Sequence, residues 1–176
     1  MNRRHLLATV AGLGLTGGGV WAATRSIPDG NDSGLPVRVQ TIDAQGSERG
    51  EMRIPTAETP TVIDLFATWC APCKEQMEAL STIYGEYGDR LTFVSVTNER
   101  VGNTLSTEDI REWWRTYDGN WTVGVDPASD LMAALRADGL PYIAIADRSG
   151  QIRWRHSGTT DTATLRRRIE HVLRDE

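Results

Sequence analysis

Histidine, cysteine and lysine are scarce in this chain of 176 residues. It has three histidines, two cysteines and one lysine, Lys74, among 19 basic residues. A structural zinc site takes about four ligands, and His5, His156 and His171 are not spaced to complete one. Acidic residues outnumber basic ones, and the net charge of −5 argues against a nucleic-acid partner. The composition therefore predicts neither a zinc site nor a nucleic-acid-binding surface.

The chain also lacks an unbroken apolar run of the ~20 residues that a membrane-spanning helix needs. Residues 6–20 are apolar but rich in glycine, and they follow Arg3 and Arg4. A charged start, an apolar run and small residues such as Ala22 and Ala23 are typical of an export signal, and the paired arginines resemble a twin-arginine signal. We expect residues 1–25 to be an export signal or a membrane anchor, residues 26–36 a linker, and residues 37–176 one domain. Export places the cysteines outside the reducing cytosol.

Both cysteines lie in one motif, Trp69-Cys70-Ala71-Pro72-Cys73. An apolar run over residues 61–67 precedes the motif, and a helical pattern over residues 74–87 follows it. A thiol at a helix N-terminus faces unpaired N–H groups and the positive end of the dipole, which favour the reactive thiolate. As a structural crosslink, a loop of about 4 residues stabilises by only ~2 kcal/mol, against ~4.7 for about 100 residues. The spacing therefore favours redox chemistry over a structural role.

Strand and helix patterns alternate through the rest of the chain. A hairpin is predicted from residues 37–42 and 51–54, and Ser106 begins a helix that carries Trp113, Trp114 and Tyr117. Those aromatic residues are predicted to pack in the core, the alternative being a binding platform. Further strands are expected at residues 91–96, 121–125, 142–146 and 151–156, and further helices at residues 127–139 and 162–173. This order predicts an α/β fold with a mixed central sheet flanked by helices.

Asp64 is the one polar residue inside the apolar run before the motif. Burial disfavours the charged form of a carboxyl, so we expect its pKa to be raised. A carboxyl with a raised pKa suits a group that takes a proton from Cys73 when that thiol attacks. The alternative is a polar residue that is merely tolerated at the strand edge.

The segment from Asp64 to Lys74 resembles the active site of thioredoxin-fold proteins. Leu140-Pro141, at the start of a predicted strand, is similar to the cis-proline loop of that fold. The added N-terminal hairpin, the insertion over residues 106–125, the turn over residues 147–150 and the export signal resemble the TlpA/ResA-like branch. The likeness covers about residues 37–173 and implies a thiol–disulfide oxidoreductase that exchanges disulfides with protein substrates.

The resemblance also implies roles for single residues. Cys70, at the exposed end of the motif, is expected to attack, and Cys73 to resolve the mixed disulfide. Pro72 is expected to hold the helix start and tune the redox couple, with Trp69 and Ala71 supporting the site. Pro141 is expected to be cis, with Leu140 offering backbone hydrogen bonds to an extended substrate. Gln76 stands where ResA-type members carry a glutamate, which weakens the transfer of their acid–base detail.

The resemblance favours a reductase that a membrane donor supplies with electrons, with no bound cofactor or metal, and a monomer is expected. The same fold also serves disulfide oxidases and isomerases, which remain the main alternative. Delivery of Cu(I) by the two thiolates is a further alternative, with His156 as the only candidate third ligand. A non-catalytic adaptor that uses the Trp113, Trp114 and Tyr117 surface is the last.

Overall fold

The computed structural model describes residues 34–175. The predicted export signal and most of the predicted linker lie outside the described residues. The described part contains seven strands and four helices. The strands are β1 (Val37–Thr41), β2 (Gly50–Ile54), β3 (Thr61–Phe66), β4 (Thr92–Thr97), β5 (Thr122–Val125), β6 (Tyr142–Ala146) and β7 (Ile152–Ser157). The helices are α1 (Ala71–Tyr87), α2 (Thr107–Thr116), α3 (Asp130–Ala134) and α4 (Thr162–Arg174).

All seven strands form one mixed sheet in the order β2-β1-β5-β4-β3-β6-β7. Strand β4 runs parallel to β3 and β5, while β6 and β7 form an antiparallel hairpin at one edge. The predicted N-terminal hairpin is confirmed, and β1 joins it to the sheet by pairing antiparallel with β5. The sheet thus confirms the expected α/β fold and places β3, the strand before the cysteine motif, among its inner strands.

The helix boundaries correct the sequence prediction in two places. Helix α1 begins at Ala71, inside the cysteine motif, and continues through Gly85 before Gly88 caps it. Helix α3 is one short turn that begins after Ser129, so Pro127 lies in the preceding turn instead of opening the helix. Helix α2 begins as expected, because Ser106 and Asp109 form a reciprocal capping box. Among the helices of residues 34–175, none has the length and apolar character needed to cross a membrane.

Two cores pack against the two faces of the sheet, because successive strand residues point to opposite faces. The cysteine-side core lies under α1, α2 and α4 and contains Val62, Phe66, Cys70, Cys73, Met77, Phe93, Trp113, Trp114, Trp121, Ile143 and Leu165 with their neighbours. The opposite core lies under α3 and contains Val39, Ile54, Ile63, Leu65, Val94, Val96, Leu131, Leu135, Tyr142 and Ala144. Asp64 lies between Ile63 and Leu65 on β3, so its side chain shares the face of Val62 and Phe66.

Candidate active site

Helix α1 begins inside the cysteine motif. Cys70 is the N-cap residue, with extended backbone angles, and its Sγ accepts a hydrogen bond from the Cys73 backbone N–H at 3.2 Å. Pro72 occupies the first turn, where its missing N–H costs no intrahelical hydrogen bond. Cys70 and Cys73 form a disulfide. The predicted strand-to-helix position of the two sulfurs is confirmed, and a sulfur of Cys70 sits where helix N–H groups converge.

The burial of the cysteines differs from the expectation that Cys70 is exposed. In the disulfide form Cys70 is 4% exposed and Cys73 is 2% exposed. Trp69 is the residue that reaches solvent, with 72% of its surface exposed. The asymmetry between the cysteines lies in the surface they face, because Cys70 and not Cys73 lines an open groove of about 350 Å³.

This groove, which we call the dithiol groove, is formed by two sides of the fold. One side is the cysteine motif, and the other is formed by the β4–α2 connection, helix α3 and the loop before β6. Its lining residues are Trp69, Cys70, Ala71, Pro72, Asn98, Met132, Gly139 and Leu140. The Leu140–Pro141 peptide bond is cis, as the resemblance implies. The groove therefore offers an apolar cleft beside Cys70, and the proposed roles of Leu140 and Trp69 toward a substrate stay predictions.

Asp64 is buried on the sheet face that the cysteine-side core covers, with 3% of its surface exposed. Burial raises the pKa of its carboxyl to about 7, and the hydrogen bond from Ser95 opposes that increase. The Ser95 hydroxyl donates to Asp64 Oδ2 at 2.8 Å, whereas Asp64 Oδ1 has no hydrogen-bond partner. The expected desolvation of Asp64 is confirmed, and Asp64 does not lie at an edge because β3 is an inner strand of the sheet. The choice between a functional and a merely tolerated carboxyl stays a prediction. Proton transfer to or from Cys73 stays a prediction.

Two groups that support the site could not be predicted from local sequence patterns. Trp121 Nε1 donates to Ser95 Oγ at 2.9 Å, which extends the hydrogen-bond chain behind Asp64. Glu99 accepts hydrogen bonds from the backbone N–H of Thr68 at 2.7 Å and from its hydroxyl at 2.8 Å. Each partner is more than 20 residues away in the chain, and the register of β3 with β4 and of β4 with β5 brings them together.

The residues behind the alternative hypotheses occupy other environments. Trp113 and Trp114 are buried, and Phe66 stacks on Trp113 with ring centroids 4.7 Å apart. The two tryptophans form core instead of a platform, and Tyr117 is half-buried against the same core, so the adaptor hypothesis loses most of its surface. His156 lies on β7, where its ring stacks on Trp154.

Gln76 does not replace the missing glutamate as an acid or a base. Its side chain is buried, and its amide donates to the Thr160 carbonyl at 3.0 Å while accepting from the Thr160 N–H at 2.6 Å. An amide does not titrate, and here both of its polar ends join α1 to the segment before α4. Gln76 therefore has a structural role, because its two hydrogen bonds connect α1 to the segment before α4.

Comparison with known proteins places this geometry in a class. The model of the Redoxin family matches residues 27–173. The thiol–disulfide oxidoreductase YkuV of Bacillus subtilis is 28% identical over 116 residues, which is 66% of this chain and 78% of YkuV. The thiol:disulfide interchange protein DsbE of Tatumella citrea is 32% identical over 101 residues, which is 56% of this chain and 50% of DsbE.

A solved structure supports the fold. The structure of a secreted disulfide oxidoreductase of Mycobacterium tuberculosis covers 80% of this chain and 98% of its own, with a TM-score of 0.65 and 16% identity. The fold and the cysteine pair define a thioredoxin-like thiol–disulfide oxidoreductase. The chain belongs to the Redoxin family.

Proposed function

We propose that this protein is an exported reductase of the TlpA/ResA-like branch that transfers electrons from the Cys70–Cys73 dithiol to disulfides of protein substrates. The observation that carries the proposal is the position of Cys70, which caps α1 and lines the dithiol groove beside the exposed Trp69. A cleft beside a helix N-terminus suits an extended polypeptide whose disulfide must reach one sulfur.

The exchange takes two steps that balance in sulfur and electrons. The Cys70 thiolate attacks one sulfur of the substrate disulfide, forming a mixed disulfide and releasing the first substrate thiolate. The Cys73 thiolate then attacks the Cys70 sulfur, which releases the second substrate thiolate and leaves the Cys70–Cys73 disulfide. Two electrons pass to the substrate, and the helix N-terminus favours the thiolate of the capping Cys70.

Asp64 acts in the second step as the base for Cys73. The carboxyl and Cys73 belong to the same face of the sheet, and Asp64 Oδ1 has no other partner. A pKa raised to about 7 by burial lets this carboxyl accept a proton near neutral pH. The proton that leaves the Cys73 thiol therefore has a buried acceptor on the same side of the sheet.

The N-terminal sequence supports a site of action outside the cytoplasmic membrane. Arg3 and Arg4 precede the apolar residues 6–20 in the order of an export signal. A secreted disulfide oxidoreductase with the same fold is in keeping with this location. In such a compartment a reductase needs an electron supply, and a membrane donor meets that need.

Two cysteine variants test the proposed chemistry, one by loss of activity and the other by trapping of the mixed disulfide. We expect full-length protein to reduce the disulfides of a model substrate such as insulin, Cys70→Ser to have no activity, and Cys73→Ser to accumulate a mixed disulfide with the substrate. Reduction that persists at the normal rate in Cys70→Ser would overturn the proposed attacking group. The matched control is Ser81→Ala, a hydroxyl loss on α1 away from the dithiol groove.

The reduction potential tests the direction of transfer. The protein is equilibrated in thiol redox buffers, and fluorescence follows the ratio of dithiol to disulfide, with Trp69→Phe identifying the contribution of the neighbouring indole. We expect a value near that of thioredoxin, about −270 mV. A value of about −180 to −120 mV would instead define an oxidase or isomerase.

A further inference from the structure

A hydrogen-bond chain of two side chains lies behind Asp64. Trp121 Nε1 donates to Ser95 Oγ at 2.9 Å, and Ser95 Oγ donates to Asp64 Oδ2 at 2.8 Å. All three side chains are buried, with 3%, 0% and 3% of their surfaces exposed for Trp121, Ser95 and Asp64. They sit on three adjacent elements, since Asp64 pairs with Ser95 across β3 and β4 and Trp121 immediately precedes β5.

The hydrogen bonds from Trp121 to Ser95 and from Ser95 to Asp64 can run in only one direction. An indole N–H donates and cannot accept, so the Ser95 oxygen is the acceptor of the bond from Trp121. The single hydroxyl hydrogen of Ser95 then points to Asp64 Oδ2. A proton on Oδ2 would make that oxygen a much weaker acceptor, and Asp64 Oδ2 is the one acceptor to which the Ser95 hydroxyl donates among the described residues. A buried hydroxyl without an acceptor is unfavourable.

The two oxygens of Asp64 are therefore unequal. Oδ2 is held as an acceptor by Ser95, while Oδ1 is buried and has no partner. We propose that Ser95 and Trp121 are positioning residues that hold the exchangeable proton of Asp64 on Oδ1, the oxygen left free for proton transfer in the cysteine-side core. The inference rests on the proposed role of Asp64 as the base for Cys73.

The hydrogen-bond chain from Trp121 through Ser95 to Asp64, which we call the relay, also opposes the effect of burial on the pKa of Asp64. Burial raises the pKa of Asp64, and the bond from Ser95 lowers it because a hydroxyl donor stabilises the carboxylate. Removing the hydroxyl should therefore raise the pKa further. Removing only the indole N–H should have a smaller effect in the same direction, because the Ser95 hydroxyl then keeps its bond to Asp64 but loses the group that orients it.

Other titratable groups on the same side of the sheet are few. Helix α1 contributes Cys70, Cys73, Tyr84 and Tyr87, and the disulfide-bonded cysteines do not titrate. Glu99 follows β4 and accepts from Thr97, on the Ser95 face of that strand. The half-buried Tyr117, at the end of α2, packs against the same core, and Lys74 Nζ of α1 lies 5.7 Å from the centroid of its ring. The fully buried residues that α2, β5, β6 and α4 direct into this core are aliphatic or tryptophan. No charged group contributes to the pKa shift of Asp64 in the described part of the chain, so its titration in the oxidised protein reports on Ser95.

The test follows the Asp64 carboxyl directly. Carbon NMR of carboxyl-labelled, oxidised full-length protein gives its titration midpoint, and Asp64→Asn identifies the resonance. We expect Ser95→Ala to raise the midpoint by about one pH unit, a tenfold change in proton affinity, as the loss of a hydrogen bond to a charged group implies. Trp121→Phe should move it less, and Ser95→Thr, which keeps a hydroxyl, should return it toward the wild-type value.

Trp113→Phe is the matched control for the loss of an indole. Trp113 lies in the same core, but its Nε1 has no hydrogen-bond partner. It should leave the Asp64 midpoint unchanged. A midpoint that is the same in Ser95→Ala and wild-type protein overturns the relay.

The pH dependence of disulfide exchange separates the relay from the proposed function. The part of the pH–rate profile that depends on Asp64 should shift in Ser95→Ala by as much as the Asp64 titration midpoint. The same part should be absent in Asp64→Asn. In the Asp64→Asn background, adding Ser95→Ala should not change the profile. A midpoint that shifts while the rate profile stays fixed would uphold the relay and overturn the role of Asp64 as the base.

Discussion

The two faces of the central sheet bury different kinds of side chain. The opposite face is mainly aliphatic, and its buried Tyr142 and Asp126 are hydrogen-bonded. Tyr142 donates its hydroxyl to the Leu135 carbonyl at 2.9 Å, and Asp126 Oδ2 accepts from the Leu131 N–H at 2.8 Å. The cysteine-side core contains the disulfide, several aromatic rings and the buried chain of Trp121, Ser95 and Asp64. Both faces thus bury polar side chains, and within residues 34–175 they differ in whether every buried polar atom has a partner.

Incomplete hydrogen bonding is confined to the cysteine side. Within residues 34–175, three buried side-chain atoms lack a partner: Asp64 Oδ1, Trp113 Nε1 and Thr160 Oγ1. Asp64 and Trp113 face the cysteine-side core, and Thr160 is bonded through its backbone to Gln76 of α1. A buried polar atom without a partner costs about 1–3 kcal/mol. Such departures from good packing are expected near functional sites, so the contrast is in keeping with the chemistry proposed for the cysteine side.

The largest expected effect comes from the aliphatic face. Ile63 is fully buried in the opposite core, one residue before Asp64 on β3. We expect Ile63→Ala to lower the free energy of unfolding by about 2–5 kcal/mol, because it removes buried methyl groups and leaves a cavity. Denaturant titration of the oxidised protein measures the loss. The exchange rate of the folded protein should stay near that of wild type, and a slowing as large as that in Asp64→Asn would break the separation of the faces.

The next effect is the dependence of stability on pH that Asp64 introduces. Burial raises the folded-state pKa of Asp64 from 3.8 to about 7, so the folded protein holds a proton between these values that the unfolded chain has lost. The contribution of Asp64 to stability should therefore fall as pH rises from about 4 to about 7 and level off above that. At about 1.4 kcal/mol per pH unit, the fall is on the order of 4 kcal/mol.

Comparison with Asp64→Asn isolates the contribution of Asp64 to the pH dependence of stability. Asparagine does not titrate, and the contributions of the other titratable groups cancel in the difference between the two proteins. Unfolding free energies of the two oxidised proteins are measured from pH 4 to pH 8. The stability of the variant relative to wild type should rise across this range. A difference that is independent of pH would show that Asp64 titrates alike in the folded and unfolded states, and the desolvation argument would be wrong.

The same contrast explains what could be predicted from the sequence. The strands, the four helices and the burial of Asp64 follow from local patterns: alternating or continuous apolar residues, a capping serine at Ser106 and turn-forming glycines. Helix α1 began earlier than predicted because the motif itself supplies its cap, and α3 is too short to show a full helical period.

The supporting groups of the site could not be predicted in this way. The partners of Asp64 and Thr68 are set by the register between β3 and β4, which pairs residues 31 positions apart. No local pattern encodes that pairing. The burial of Cys70 was also missed, because the surrounding loop and helix cover a residue that the motif alone places at an exposed end.

The smallest expected effect on stability comes from replacing Glu99. This residue belongs to neither core, so its replacement shows how far the comparison of the two faces extends to the loop between them. Its half-buried carboxylate accepts from the Thr68 N–H at 2.7 Å, the Thr68 hydroxyl at 2.8 Å and the Thr97 hydroxyl at 2.9 Å. Thr68 lies two residues before Cys70, so this carboxylate fastens the loop that delivers the motif from β3 to α1.

Glu99→Gln should loosen that loop while leaving both cores intact. The amide keeps one acceptor oxygen but loses the charge and the second acceptor, so we expect a loss of about 1–2 kcal/mol, in the range of one hydrogen bond to a charged group. Hydrogen exchange at the Thr68 amide should accelerate, while amides inside β3 keep their protection. Glu112→Gln, on the exposed face of α2, is the matched control and should change neither. If β3 itself exchanged faster in Glu99→Gln, the loop and the sheet would open as one unit, and the chemistry of the cysteine side would depend on the stability of both faces.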